Sequence, residues 1–136
     1  MIVLDSSVVV EWLLGLPHAE LVANRILRAA SLHAPALLDV EVAQVVRRYT
    51  ARGEIPPMVG ERTVRTLGQL DVERHTHELL LPLIWQLRNK LTAYDAAFVA
   101  LASILDAPLV TLDARLAAAP LPSLLRSHVA VEVVGR

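Results

Sequence analysis

The sequence predicts an α/β fold built on a mainly parallel sheet. Short apolar runs alternate with stretches whose apolar residues recur at helical spacing, the pattern of strand–helix–strand units. Two of those runs, Met1–Leu4 and Pro108–Thr111, stop just before or within two residues of an aspartate. In open α/β sheets, ligand sites gather at such strand ends.

Taken in order, Met1–Leu4 reads as a buried strand, and Asp5-Ser6-Ser7 as the capping residues of a helix through about Leu14. Gly15-Leu16-Pro17 breaks that helix. In His18–Ala30 the residues Leu21, Val22, Ile26, Leu27 and Ala30 keep helical spacing. His33-Ala34-Pro35 is a turn or a short strand end. Leu37–Arg52 is helical and stops at Gly53, a usual C-terminal signal. Pro56-Pro57 opens a helix through about Leu70, and Val72–His75 suits a short strand. His77–Leu87 is helical, with a distortion expected near Pro82. Thr92–Leu105 is an amphipathic helix and Pro108–Thr111 a buried strand. Arg115–Ala118 is a short helix stopped by Pro120 and Pro122, and Val129–Val134 is a terminal strand. No internal repeat, linker or low-complexity tract divides the chain, so residues 1–136 read as one domain.

The 136 residues are 54% hydrophobic, enough for one well-filled core. The absence of cysteine excludes disulfides and thiolate metal sites. Met1–Leu4 runs directly into Asp5 with no basic segment before it, so no secretory leader is expected. No stretch reaches the roughly 18 apolar residues of a membrane helix. A cytoplasmic protein with no membrane association is the expectation. The net charge of −1 argues at first against a nucleic-acid partner. Setting aside four acids for a metal site leaves ten against 13 basic residues, twelve of them Arg and one Lys90. Arginine suits phosphate through its planar fork, although codon usage also enriches it.

Four acids stand out. Asp5 and Asp113 follow apolar strands, and Asp95 opens a helix. Glu41 shares a helix face with Leu37, Leu38 and Val45, where a charge is costly unless paired or bound to a cation. Singly, Asp5 and Asp113 also read as N-caps, Asp95 as a first-turn acid favoured by the helix dipole, and Glu41 as a partner of Arg47 or Arg48. Together they converge above one sheet edge, where like charges raise each other's pKa unless divalent cations neutralise them. Oxygen ligands without cysteine point to Mg²⁺ or Mn²⁺. Asp39, about 200° from Glu41 on the same helix, belongs to the opposite side, near the helix start.

At these positions the chain resembles the PIN-domain family, and the VapC toxins within it. Asp5-Ser6-Ser7-Val8 after an apolar strand resembles the family's opening, and Ala34-Pro35-Ala36-Leu37-Leu38-Asp39-Val40-Glu41-Val42 its second motif. Leu91-Thr92-Ala93-Tyr94-Asp95-Ala96-Ala97 resembles the third and Ala107-Pro108-Leu109-Val110-Thr111-Leu112-Asp113 the fourth. The match runs through essentially the whole chain in order, with no departure at the acids. It implies a Rossmann-like α/β/α sandwich with a mainly parallel sheet. It also implies a metal-binding catalytic quartet of Asp5, Glu41, Asp95 and Asp113, supported by hydroxyls at Thr111 and Ser6. The implied activity is endoribonuclease cleavage with Mg²⁺ or Mn²⁺, in which water attacks and leaves a 5′-phosphate. The resemblance further implies a cognate VapB-like antitoxin over the site, and a homodimer is expected. Ser6, Thr111 and Arg115 are expected on the substrate side, Arg115 as a phosphate contact or, equally, as a surface ion pair.

Rival readings fit less well. An aspartyl-phosphate phosphatase wants a second acid at position 7, which is Ser, and a receiver domain wants an acidic pair and a late Lys. A PIN-like scaffold that binds RNA or protein without cutting typically loses acids from the quartet, and this chain keeps all four. His18, His33, His75, His77 and His128 match no motif and read as structural or solvated. Trp12 and Trp85 read as core or interface residues, and Tyr94 as packing or substrate contact. Residues 55–90 carry no family signature.

Overall fold

The computed structural model describes residues 1–122, 125 and 129–135. Its centre is a five-stranded, all-parallel sheet in the order β3-β2-β1-β4-β5. The strands are β1 (Ile2–Leu4), β2 (Leu32–Pro35), β3 (Glu73–His75), β4 (Leu109–Thr111) and β5 (Val131–Val133). Central β1 is buried along its length, as a parallel strand covered on both faces must be. Val3 registers with His33 on one side and Leu109 on the other. From β1 the chain winds outward to β2 and β3, and later to β4 and β5 on the opposite side. The switch in direction falls between β1 and β4, where a crevice opens at the carboxyl ends of the strands.

Helices α1 (Ser6–Leu13), α2 (Ala19–Leu27), α3 (Leu37–Ala51) and α4 (Pro57–Gln69) pack against one another. Helix α6 (Ala93–Leu105) lies across β1, β2 and β4, with α5 (Leu81–Gln86) beside it, while α7 (Ala114–Ala118) touches β5. This is the expected α/β/α sandwich. Among the described residues no helix is long and apolar enough to cross a membrane.

Three elements depart from expectation. His33-Ala34-Pro35 belongs to a full interior strand, β2, because β1 and β3 pair with it on both sides. The segment after His77 begins as a 3₁₀ turn, Glu78–Leu80, before α5, so the irregularity precedes Pro82. Helix α6 is not amphipathic through its middle. Every residue from Ala96 to Ala102 is buried, because alanines at four of those seven positions let it sit close against the sheet and α5.

Arg74 of β3 ties three elements together. Its guanidinium donates to the carbonyls of Leu67, Leu70 and Val72 and to Asp39 Oδ2 at 2.8 Å. Asp39 therefore lies away from Glu41, as the phasing predicts. The helix dipole alone was the expected reason for its place; the Arg74 pair is a stronger one.

Candidate active site

Asp5 follows β1 directly and is 8% exposed. The ladder continues through it, since its N–H donates to the Val110 carbonyl. As the N-cap of α1 it makes no side-chain cap bond. Its Oδ2 instead accepts from the Ser7 hydroxyl at 2.6 Å and the Thr111 hydroxyl at 2.8 Å. Ser7 Oγ accepts from Leu112 N–H, and Thr111 Oγ1 from Asp113 N–H. The two strand ends are thus locked together through hydroxyls, which hold the carboxylate in place without neutralising it.

Thr111 was expected on the substrate side. It is fully buried, so no substrate reaches its hydroxyl, and it acts on Asp5 instead. Ser7 was read only as a capping residue. The Asp5-Ser6-Ser7 run was the available signal, but nothing local says that the second serine turns back to the aspartate.

Glu41 projects from α3 toward α1, where Ser6 Oγ donates to its Oε1 at 2.6 Å. Burial raises the Glu41 pKa, the Ser6 bond opposes that, and the charges of Asp5 and Asp95 raise it further. No pairing with Arg47 or Arg48 is present; Arg47 donates to Gln44. Asp95 stands in the first turn of α6, whose N-cap Thr92 accepts from Asp95 N–H at 3.1 Å. Burial raises its pKa too, followed by the charges of Asp5 and Asp113. Mutual repulsion therefore links all four acids, although they come from four separate elements.

Asp113 differs. It caps α7 by accepting from Arg115 N–H at 2.9 Å, as the N-cap reading held. The Arg115 guanidinium also forks onto it, Nε to Oδ1 at 3.2 Å and Nη2 to Oδ2 at 3.0 Å. That side-chain bond is the main reason its pKa is lowered. Arg115 is 92% exposed, so the fork is free to open. Among the described residues, Asp5, Glu41 and Asp95 have no salt-bridge partner.

Grooves flank the acids. Lys90 and Arg115 line one with Asp95 and Asp113. Arg48, Gln44 and Tyr94 line another with Glu41 and Ser6. Tyr94 is 62% exposed there, which favours contact over packing. Trp12 packs partly against the core, whereas Trp85 is mostly exposed beneath Arg88, whose guanidinium lies 4.7 Å from the ring centroid. His18 is exposed beside Glu11; His33, His75 and His77 are all hydrogen-bonded; His128 lies outside the described residues.

The fold and the oxygen-only cluster at its switch point define an α/β domain of the doubly wound parallel class, and sequence comparison identifies the family. Residues 2–121 match the PIN domain, and the chain belongs to the PIN-domain family. Three curated relatives from Mycobacterium tuberculosis (strain ATCC 25618 / H37Rv) are VapC ribonucleases. Ribonuclease VapC1 is 40% identical over 119 residues, covering 87% of this chain and 90% of the relative. Ribonuclease VapC9 is 39% identical over 116 residues, 85% and 88% of the two chains. Ribonuclease VapC12 is 42% identical over 117 residues, 86% and 90%. The chain is a VapC-like member of the family.

Proposed function

We propose that this chain is a metal-dependent endoribonuclease, the toxin component of a toxin–antitoxin pair, with Asp5, Glu41, Asp95 and Asp113 as its catalytic carboxylates. The observation that carries the reading is that acids from four elements repel one another, raising Glu41 and Asp95 with no salt-bridge partner for either among the described residues. Folding does not gather like charges by default; a cation that binds the folded state repays their repulsion.

The donor set fits a hard divalent ion, Mg²⁺ or Mn²⁺, since every side chain offered is a carboxylate or hydroxyl. When bound, such an ion lowers the pKa of water and stabilises charge on a phosphate. Asp5, gripped on Oδ2 by Ser7 and Thr111, would hold the ion in a fixed position. Asp95 and Asp113 serve directly or through water. Glu41, held on Oε1 by Ser6, would ligate the ion through water or orient the attacking water. Lys90, Arg115 and Arg48 beside the acids supply the positive charge that a phosphate backbone follows. Single-stranded or looped RNA suits such open grooves, with hydrolysis leaving a 5′-phosphate.

The same reading includes a VapB-like antitoxin that covers the acids, and a homodimer; both rest on the likeness to VapC ribonucleases. The test is cleavage of a structured and a single-stranded RNA by the purified protein, with Mg²⁺ or Mn²⁺ and then with excess EDTA. Cleavage that needs the ion is the expected result. Full activity in EDTA overturns the metal mechanism, and no cleavage with either ion favours a non-cutting RNA-binding scaffold.

A further inference from the structure

A second cluster of ligating side chains lies on the other arm of the sheet. The parallel register pairs His33 with Glu73 and Pro35 with His75. Alternation along each strand puts His33, Glu73 and His75 on one face, across the seam between β2 and the edge strand β3. One ligand atom from each lies within 4.8 Å of the others. His33 Nδ1 is 2.9 Å from His75 Nε2 and 3.4 Å from a Glu73 carboxylate oxygen.

We propose that His33, Glu73 and His75 form a second metal site, for Zn²⁺ or a similar borderline divalent cation, distinct from the four carboxylates. Tetrahedral Zn²⁺ with bonds of about 2.0–2.1 Å spaces its ligands about 3.4 Å apart. The His33–Glu73 separation already matches that spacing, the His–His contact would have to open, and the third pair lies within 4.8 Å. Its chemistry separates it from the carboxylate site: two imidazoles and one carboxylate suit Zn²⁺, where oxygen-only sites suit Mg²⁺. Three protein ligands leave one coordination position, and Glu73, 67% exposed, opens that side to water.

Two further observations support it. His33 is buried, and burial is the main cause that lowers its pKa, with Glu73 opposing; the neutral imidazole thus favoured is the form that ligates. Its second nitrogen, Nε2, sits 2.9 Å from Ser31 Oγ. A ligating histidine whose other nitrogen is hydrogen-bonded is fixed in tautomer and orientation.

An ion here would pin β3 to β2. Two residues past His75, His77 Nε2 accepts from Leu37 N–H at the start of α3, the helix that carries Glu41. The site would therefore stiffen the frame behind the acids without touching them.

The experiment uses the full chain in saturating Mg²⁺, which occupies the oxygen site, with Co²⁺ as a spectroscopic probe and Zn²⁺ as competitor. The expected result is one equivalent of Co²⁺ with a tetrahedral absorption spectrum, displaced by Zn²⁺, and a melting temperature raised by Zn²⁺. Glu73→Gln and His75→Gln, at less buried positions than His33, should abolish the signal while circular dichroism stays unchanged. Ser31→Ala should weaken Zn²⁺ about tenfold, and Asp95→Asn should leave the spectrum as it is. Zn²⁺ binding of unchanged stoichiometry and affinity in folded Glu73→Gln and His75→Gln proteins overturns the proposal. So does the absence of any Co²⁺ or Zn²⁺ binding by the parent chain.

Discussion

The two sides of the acidic cluster solve the problem of charge differently. On the β4–α7 side, Asp113 carries its own counter-charge: Arg115 forks onto it and lowers its pKa. On the α3–α6 side, Glu41 and Asp95 have no such partner, and burial with neighbouring acids raises both. One half has its charge compensated within the protein, and the other does not. The contrast teaches that charge compensation is local on one side and missing on the other, and among the described residues Arg115 is the cation already seated on one of the four carboxylates.

The comparison breaks most sharply at Glu41. Glu41→Gln keeps an oxygen for the Ser6 hydroxyl but removes the charge, so RNA cleavage should fall by more than about 100-fold with the fold intact, beyond what loss of an outer-shell group costs. Rates measured at saturating Mg²⁺ check this, and a variant within a few-fold of the parent would remove Glu41 from the mechanism.

The next effect is on stability in the absence of metal. Glu41 and Asp95 bind protons more tightly folded than unfolded. Their contribution is therefore fully present below the ordinary carboxylate range and is lost as pH rises through their raised values. Asp113 runs the other way: its contribution is present above its ordinary value and is lost as pH falls through the lowered one. At neutral pH in EDTA, Glu41→Gln and Asp95→Asn should each raise the melting temperature, and Mg²⁺ should raise the parent's and narrow the gap. Thermal melts across pH 3 to 8 decide it; destabilisation by both variants at neutral pH would mean the acids are structural.

A smaller effect is expected at Arg115. If its guanidinium trades Asp113 for a phosphate, Arg115→Gln should weaken RNA binding uniformly across sequences and reduce the slope of log affinity against log salt by about 1. An unchanged slope would leave Arg115 as Asp113's ion-pair partner and no more.

The smallest effect on activity is expected at Asp39. Asp39→Asn should leave cleavage within a few-fold, because its partner is Arg74 and not the site. It should cost on the order of 1–2 kcal/mol of stability, the range for a partly exposed hydrogen bond to a charged group. Denaturant melts compared with cleavage rates separate the two, and a reversal between Asp39 and Glu41 would mean that α3 is rotated from its assigned phase.

Much of this was legible in the residues. Met1–Leu4 before Asp5 and Pro108–Thr111 before Asp113 mark central strands, because a strand covered on both faces has no polar alternate to hide its length. The phase of Leu37, Leu38 and Val45 aims Glu41 one way and Asp39 the other, since helical geometry is local. Less legible was β2, where His33 and Pro35 interrupt the apolar run and strand character comes from partners on both sides. The Arg74–Asp39 pair, the turn of Ser7 back to Asp5 and the buried place of Thr111 were equally hidden.

The sequence alone determined most of the alternation of strands and helices, singled out the acids and pointed to the family, because periodicity, caps and motif spacing are written along the chain. The tertiary structure decided which hydroxyls grip Asp5, which acid owns a counter-charge, and that His33, Glu73 and His75 meet across a strand seam. The Ser7–Asp5 and Arg115–Asp113 contacts are local, but the Thr111 grip on Asp5 and the His33–Glu73–His75 cluster join residues far apart in the chain. These long-range contacts follow from parallel register, which depends on how whole strands align when the core closes over them.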